Sequence, residues 1–163
     1  MSCRFSFIMV MEVFYGYGGF LIMKYPKFLN ENNNTIGVCA MSSGVGHKLD
    51  SFEESIDYIE SFGFNVVESS SVRNDSEPSC DGAMRVHELN SLVNDSSIGA
   101  VWLAAGGDFQ FETLPYIDFD WIEKHPKWYL GASDPTNLLF PVTCKCDIAT
   151  IYGFNAGSFD AYG

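Results

Sequence analysis

Thr35-Ile-Gly-Val-Cys-Ala40 is an apolar run that ends in Ser42-Ser43-Gly44, and a helical pattern follows from Asp50 to Phe62 with Phe52, Ile56, Ile59 and Phe62 on one face. A short apolar run bounded by polar loops is the pattern of a buried strand. Ser51 with Glu54 has the spacing of a capping box, and Gly63 supplies a helix stop. The unit then recurs. Asn65 to Glu68 reads as a second strand and Asp81 to Asn94 as a second helix, with Val86, Leu89 and Val93 on one side. Gly99-Ala-Val-Trp-Leu-Ala104 and Trp128-Tyr-Leu-Gly-Ala132 read as further buried strands, with a helix starting near Pro135 and a last strand at Ile148 to Ile151. Alternating strands and helices predict an α/β domain: a parallel, doubly wound, Rossmann-like sheet with helices on both faces and right-handed crossovers. Ligands in such folds sit beyond the carboxyl ends of the strands.

The 163 residues, 47% of them hydrophobic, suffice for one domain with a proper core. A formal net charge of -12 argues against nucleic acid or an anionic membrane surface as partner, since both would repel it. Cys3, Cys39, Cys80, Cys144 and Cys146 are odd in number and lack zinc-site spacing, so no disulfide framework, metal or other cofactor is signalled. Reduced thiols and a cytoplasmic location fit this pattern.

Residues 1–22 are apolar and aromatic, but Glu12 interrupts the run, no small-residue cleavage site follows, and the run is short for a membrane span. Gly18-Gly19 is compatible with a purine-rich ribosome-binding sequence, with Phe20-Leu-Ile22 as spacer before a true start at Met23. The expectation is a mis-called leader over 1–22, a nucleophile domain over 23–153, and the start of a linker over 154–163.

Two strands end in unusual loops, Ala104-Ala-Gly-Gly-Asp108 and Gly131-Ala-Ser-Asp-Pro-Thr136, and a parallel sheet brings both to one edge. Ser133 would stand on a sharp strand-to-helix turn with its hydroxyl exposed and backbone N–H groups facing developing negative charge. That placement suits a nucleophile. Ser and Asp before Pro are also what a helix N-cap looks like, and Gly106-Gly107 is equally a plain turn or a close backbone approach to an oxyanion.

Pro26-Lys-Phe-Leu29, Thr35 to Ala40, Arg85-Val-His-Glu-Leu-Asn90, Asn94-Asp95, Ile98 to Trp102, Gly106-Gly107, Leu114-Pro-Tyr-Ile-Asp118, Pro126-Lys127, Gly131-Ala-Ser-Asp134 and Tyr152-Gly153 follow in order. The succession resembles the LD-carboxypeptidase family of serine peptidases, including its branch that gives immunity to microcin C. The resemblance implies that Ser133 is the nucleophile. It also implies an oxyanion hole formed by the N–H of Asp134 and one from Gly106 or Gly107. Ala132 and Ala105 stand where the family often has an aromatic or histidine and an arginine. A homodimer is a further implication.

The family supplies its general base and orienting partner as a histidine and a glutamate from a carboxy-terminal domain. After Ser133 this chain has neither Glu nor His. His47, His87 and His125 precede it and have ordinary loop, helix and helix-end settings. The expected activity is hydrolysis of the L,D amide of a cytoplasmic muropeptide by an acyl-enzyme at Ser133, with the chain as given inactive and cut short. The alternatives are cleavage of a peptidyl-nucleotide and a non-enzymatic α/β binding domain.

Overall fold

A computed structural model describes residues 9–11, 23–30 and 33–159. Six strands form one sheet: β1 (Met9–Met11), β2 (Thr35–Cys39), β3 (Asn65–Glu68), β4 (Ile98–Leu103), β5 (Trp128–Gly131) and β6 (Thr150–Tyr152), in the spatial order β1-β6-β5-β4-β2-β3. β2 to β6 are parallel, and β1 pairs antiparallel with β6. Apart from Met9–Met11, the stretch expected to be a leader lies outside the described residues, as does 160–163 of the expected linker.

The parallel strands run β3-β2-β4-β5-β6, so the chain moves outward in opposite directions from β2 and β4. The crevice at the carboxyl ends of these two strands is the switch point where such folds bind ligands.

The strands are separated by α1 (Leu49–Glu60), α2 (Gly82–Asn94), α3 (Phe119–Lys124) and α4 (Thr136–Cys146). Successive side chains of β4 point to opposite faces. Val101 and Leu103 join Leu89, Val93, Ile122, Leu138 and Val142 from α2, α3 and α4, whereas Ala100 and Trp102 join Phe52 and Ile56 from α1. Helices therefore cover both faces, as expected from the alternation. Full burial of one Leu such as Leu89 stabilises by about 1.5–3 kcal/mol.

β3 has the expected bounds, α2 starts on the side-chain cap of Asp81, which accepts from the N–H of Met84 at 3.0 Å, and Gly63 takes a positive φ of 86° beyond α1. The capping box of Ser51 and Glu54 does not form. A 3-10 turn over Gly46–Lys48 runs straight into α1, placing Lys48 at the N-cap and Ser51 inside the first turn. No N-terminal boundary exists at Ser51 for a side chain to cap. The last strand is shifted from the expected Ile148 to Ile151, because Ile148 makes a bridge to Lys24 and pairing with β5 starts at Ile151.

Beyond β6, residues 154–159 pack back onto the sheet. The Trp102 indole donates to the Phe154 carbonyl at 2.8 Å, the Ser55 hydroxyl to the Phe159 carbonyl at 2.7 Å, and Ala156 is fully buried. On this α1 face an apolar groove of about 610 Å³ stays open between Phe28, Trp128, Leu130, Ile151 and Phe154. Among the described residues no helix is long and apolar enough to cross a membrane.

Candidate active site

Register brings the two unusual loops together. Leu103 pairs with Cys39, and Trp102 pairs with Leu130, so Cys39, Leu103 and Gly131 end their strands in one row. The loops after β4 and β5 consequently leave the same edge, next to the Ser42-Ser43 loop after β2.

Ser133 is exposed and has a φ of 65°, left-handed backbone that a non-glycine residue adopts only where its surroundings impose it. Thr136 N–H donates to the Ser133 carbonyl at 2.9 Å, so the serine sits on the turn that opens α4. A Cβ added to Gly131 would stand 2.8 Å from Pro135 Cβ and 3.1 Å from Leu103 Cβ, too close for any side chain at the start of this turn. A Cβ on Gly106 would lie 3.4 Å from both Cβ and Oγ of Ser133, in ordinary van der Waals contact, so the double-glycine loop runs beside the serine. Gly107 has a φ of 141°, and a Cβ there would fall 2.4 Å from Ser42 Oγ and 2.5 Å from Ser43 Oγ. Glycine is thus required at Gly107 for a close approach, beyond the needs of a simple turn.

The N–H groups of Gly106, Gly107 and Asp134 donate to no other described residue. The carbonyl of Gly106 is occupied, accepting from Ser43 N–H at 3.2 Å. The Asp134 carboxylate has a task of its own: Oδ2 accepts from the N–H of Phe109 at 3.0 Å and of Gln110 at 2.9 Å, while Oδ1 accepts from Asn137 Nδ2 at 2.6 Å. It ties the double-glycine loop to the serine turn. Ser42 Oγ also accepts from Phe109 N–H, at 3.2 Å. Deeper still, the fully buried Arg85 donates to the carbonyls of Met41 and Phe109 at 2.9 Å and to Glu112 Oε2 at 3.0 Å, joining the loops after β2 and β4.

The structure brings Ser133, Asp134, Gly106 and Gly107 together and leaves the histidines elsewhere. His47 and His87 are exposed on the turn before α1 and on α2. His125 lies at the end of α3, before β5 begins and so at the edge opposite Ser133, stacked on Trp121 at 3.8 Å between ring centroids. No described residue hydrogen-bonds the Ser133 hydroxyl. Cys39 is buried and burial pushes its thiol far up, while burial raises Cys146 to about 11, so neither is a thiolate nucleophile at neutral pH. Cys3 lies outside the described residues, and among those described no three His, Cys, Asp or Glu converge to hold a metal.

Sequence reasoning missed three contributors to this arrangement. Ser42 follows β2 at the switch point, a position that marks a ligand crevice once strand order is known. Arg85 sits on the buried side of α2, where an arginine amid Val86 and Leu89 is itself a signal of an internal partner. Asn155 lies past the last strand, and its amide reaches Ala132, with Ala132 N–H donating to Oδ1 at 2.8 Å and Nδ2 donating to the Ala132 carbonyl at 3.1 Å.

The chain is similar to known proteins over most of its length. Residues 36–153 match the LD-carboxypeptidase N-terminal domain. Over 103 residues the chain is 31% identical to the microcin C7 self-immunity protein MccF of Escherichia coli, covering 63% of this chain and 30% of that protein. Over 137 residues it is 28% identical to the "Probable murein peptide carboxypeptidase" of Bacillus subtilis, covering 83% and 42%. The structure of MccF in complex with glutamyl sulfamoyl guanosine superposes with a TM-score of 0.75 at 26% identity, over 85% of this chain and 42% of that one. The chain thus spans less than half the length of these relatives. With a match over most of its length and the same α/β sheet, the chain belongs to the LD-carboxypeptidase family.

Proposed function

We propose that residues 23–153 form the nucleophile-bearing domain of a serine carboxypeptidase that hydrolyses an L,D amide bond next to a free carboxylate, as in a muropeptide ending in D-alanine. The observation that carries this reading is the exposed Ser133 at a φ of 65°, beside the double-glycine loop, with N–H groups of Gly106, Gly107 and Asp134 that donate to no described residue. A strained strand-to-helix turn of this kind holds a serine hydroxyl clear of its own backbone and points the following N–H groups at the reacting carbonyl. Ser133 Oγ attacks the carbonyl carbon, and the oxyanion accepts hydrogen bonds from Asp134 N–H and from Gly106 or Gly107. Collapse of the tetrahedral intermediate breaks the C–N bond, releases D-alanine as a protonated amine, and leaves an ester on Ser133 that water hydrolyses.

The hydroxyl proton must pass to a base, and no described side chain is within reach of it. The 163-residue chain alone is therefore expected to show no serine-dependent turnover. Its cytoplasmic location, and a homodimer of the whole protein, belong to the same reading.

A second substrate class is favoured by a specific likeness: MccF was solved with glutamyl sulfamoyl guanosine, which points to a peptidyl-nucleotide. The experiment compares both substrates in a full-length relative that carries the same two loops. D-Alanine release from an L,D-linked tetrapeptide that exceeds cleavage of a peptidyl-nucleotide supports the muropeptide reading, and the reverse order transfers the assignment. The alanine variant of the nucleophilic serine should lower kcat by several powers of ten without a change in melting temperature. Near-normal turnover in that variant would leave a non-enzymatic binding domain as the reading.

A further inference from the structure

Ser133 is held in left-handed backbone, and such a conformation persists only when neighbouring structure over-determines it. On its carboxyl side the restraint is α4, through Thr136 N–H to the Ser133 carbonyl at 2.9 Å and Asn137 N–H to the Asp134 carbonyl at 2.9 Å. On its amino side β5 has already ended at Gly131, where the ladder with β6 closes through Gly153 N–H to the Gly131 carbonyl at 3.1 Å. Ala132 thus has no strand partner for its own N–H and C=O. A side chain takes both.

We infer that Asn155 is a positioning residue for the nucleophile turn: its carboxamide stands in for one more peptide group of β6, fixing Ala132 and through it the backbone of Ser133. The inference rests on the reading of Ser133 as nucleophile. Both functions of the amide are used, since Oδ1 accepts from Ala132 N–H at 2.8 Å and Nδ2 donates to the Ala132 carbonyl at 3.1 Å. Only a carboxamide offers a donor and an acceptor side by side at this reach.

Asn155 is itself anchored. It is buried, its carbonyl accepts from Ser158 N–H at 2.9 Å, and Gly157 N–H donates to the Ala104 carbonyl at 2.8 Å. A Cβ on Gly157 would stand 2.6 Å from Val45 Cγ1, so the segment is pressed closely against the loop after β2. The same short segment therefore references the serine turn to the end of β4, from which the double-glycine loop departs. The Asn155 side chain hydrogen-bonds neither Ser133 Oγ nor the N–H groups of Gly106, Gly107 and Asp134; it acts through Ala132.

The test uses isotope-labelled 163-residue chain by NMR, with Asn155→Ala and Asn155→Asp. The first removes both hydrogen bonds, and the second keeps the shape but sets a carboxylate oxygen against the Ala132 carbonyl. Amide exchange at Ala132 should rise about tenfold or more on loss of the bond. The Ser133 coupling constant and carbon shifts should leave left-handed values, while amides of α2 stay where they are. A merely structural asparagine would move global stability without this local signature.

The unmodified chain gives an independent reading should a variant fail to fold: one Asn155 Nδ2 proton should exchange slowly and resolve from its partner. Unchanged Ser133 couplings and Ala132 exchange in either folded variant overturn the inference, as does a freely exchanging Asn155 amide in the unmodified chain. None of these signals reads activity. A failed clamp leaves the nucleophile assignment standing, and a failed nucleophile assignment leaves the clamp intact.

Discussion

Gly107→Ala is the substitution whose cost the structure specifies most sharply. At a φ of 141° a side chain is strained whatever the space around it, which costs about 1–3 kcal/mol. The new Cβ would also fall 2.4 Å from Ser42 Oγ and 2.5 Å from Ser43 Oγ, both on buried serines packed behind the loop. Displacing them is overpacking, worth about 1–3 kcal/mol, and it disturbs the bond from Phe109 N–H to Ser42 Oγ. A loss of about 4 kcal/mol is expected. Gly63→Ala is the matched control, because Gly63 also has a positive φ of 86° but nothing stands near its Cβ position. It should lose about 1 kcal/mol. With a urea slope of about 2 kcal/mol per molar, the midpoint falls by about 2 M for Gly107→Ala and about 0.5 M for Gly63→Ala. Equal shifts would refute the close approach of the double-glycine loop to Ser42 and Ser43.

Asp134→Ala removes the acceptor for Phe109 and Gln110 N–H and should destabilise by about 2–3 kcal/mol, read by urea unfolding, with faster amide exchange at both residues. Arg85→Met leaves the carbonyls of Met41 and Phe109 without their buried donor and should cost about 2–4 kcal/mol in the same assay. Glu88 is buried, and that burial alone would raise its carboxyl; the hydrogen bonds from Ser70, Ser71 and Ser69 prevail and hold it below its ordinary value. A carboxyl depressed in the folded state contributes stability above its unfolded pKa of about 4.3 and loses it as pH falls through the lower folded value. Glu88→Gln should accordingly flatten the acid limb of a stability-against-pH curve, and an unchanged slope would contradict the assignment.

Much of the fold is legible because local pattern and tertiary demand agree. β3 appears where an apolar run ends in polar residues, and α2 starts at Asp81 because a short acceptor side chain satisfies the Met84 N–H. The failure at Ser51 has the opposite cause, since the turn over Gly46–Lys48 had already begun the helix and made a cap redundant. Strand order cannot be read from periodicity, so the switch point between β2 and β4, and with it Ser42, became visible only in three dimensions. Ser133 and the double glycine were legible as loops on one edge. Arg85 and Asn155 were not identified as parts of the site, because each works through partners at least 23 residues away in sequence that only the sheet register brings close.

The central claim is that Ser133 stands in a preformed oxyanion site, and covalent trapping on the chain itself tests it most directly. At alkaline pH solvent hydroxide takes the hydroxyl proton, and the oxyanion donors stabilise the charge that develops on the phosphonyl oxygen, so Ser133 should label slowly but ahead of other serines. The chain and its Ser133→Ala variant are incubated with a fluorophosphonate at mildly alkaline pH, and the adduct is located by peptide mass spectrometry. The account predicts one adduct, on Ser133, absent from Ser133→Ala and slowed in Gly107→Ala. Adducts scattered over surface serines at equal rates, or unchanged labelling in Ser133→Ala, would contradict it.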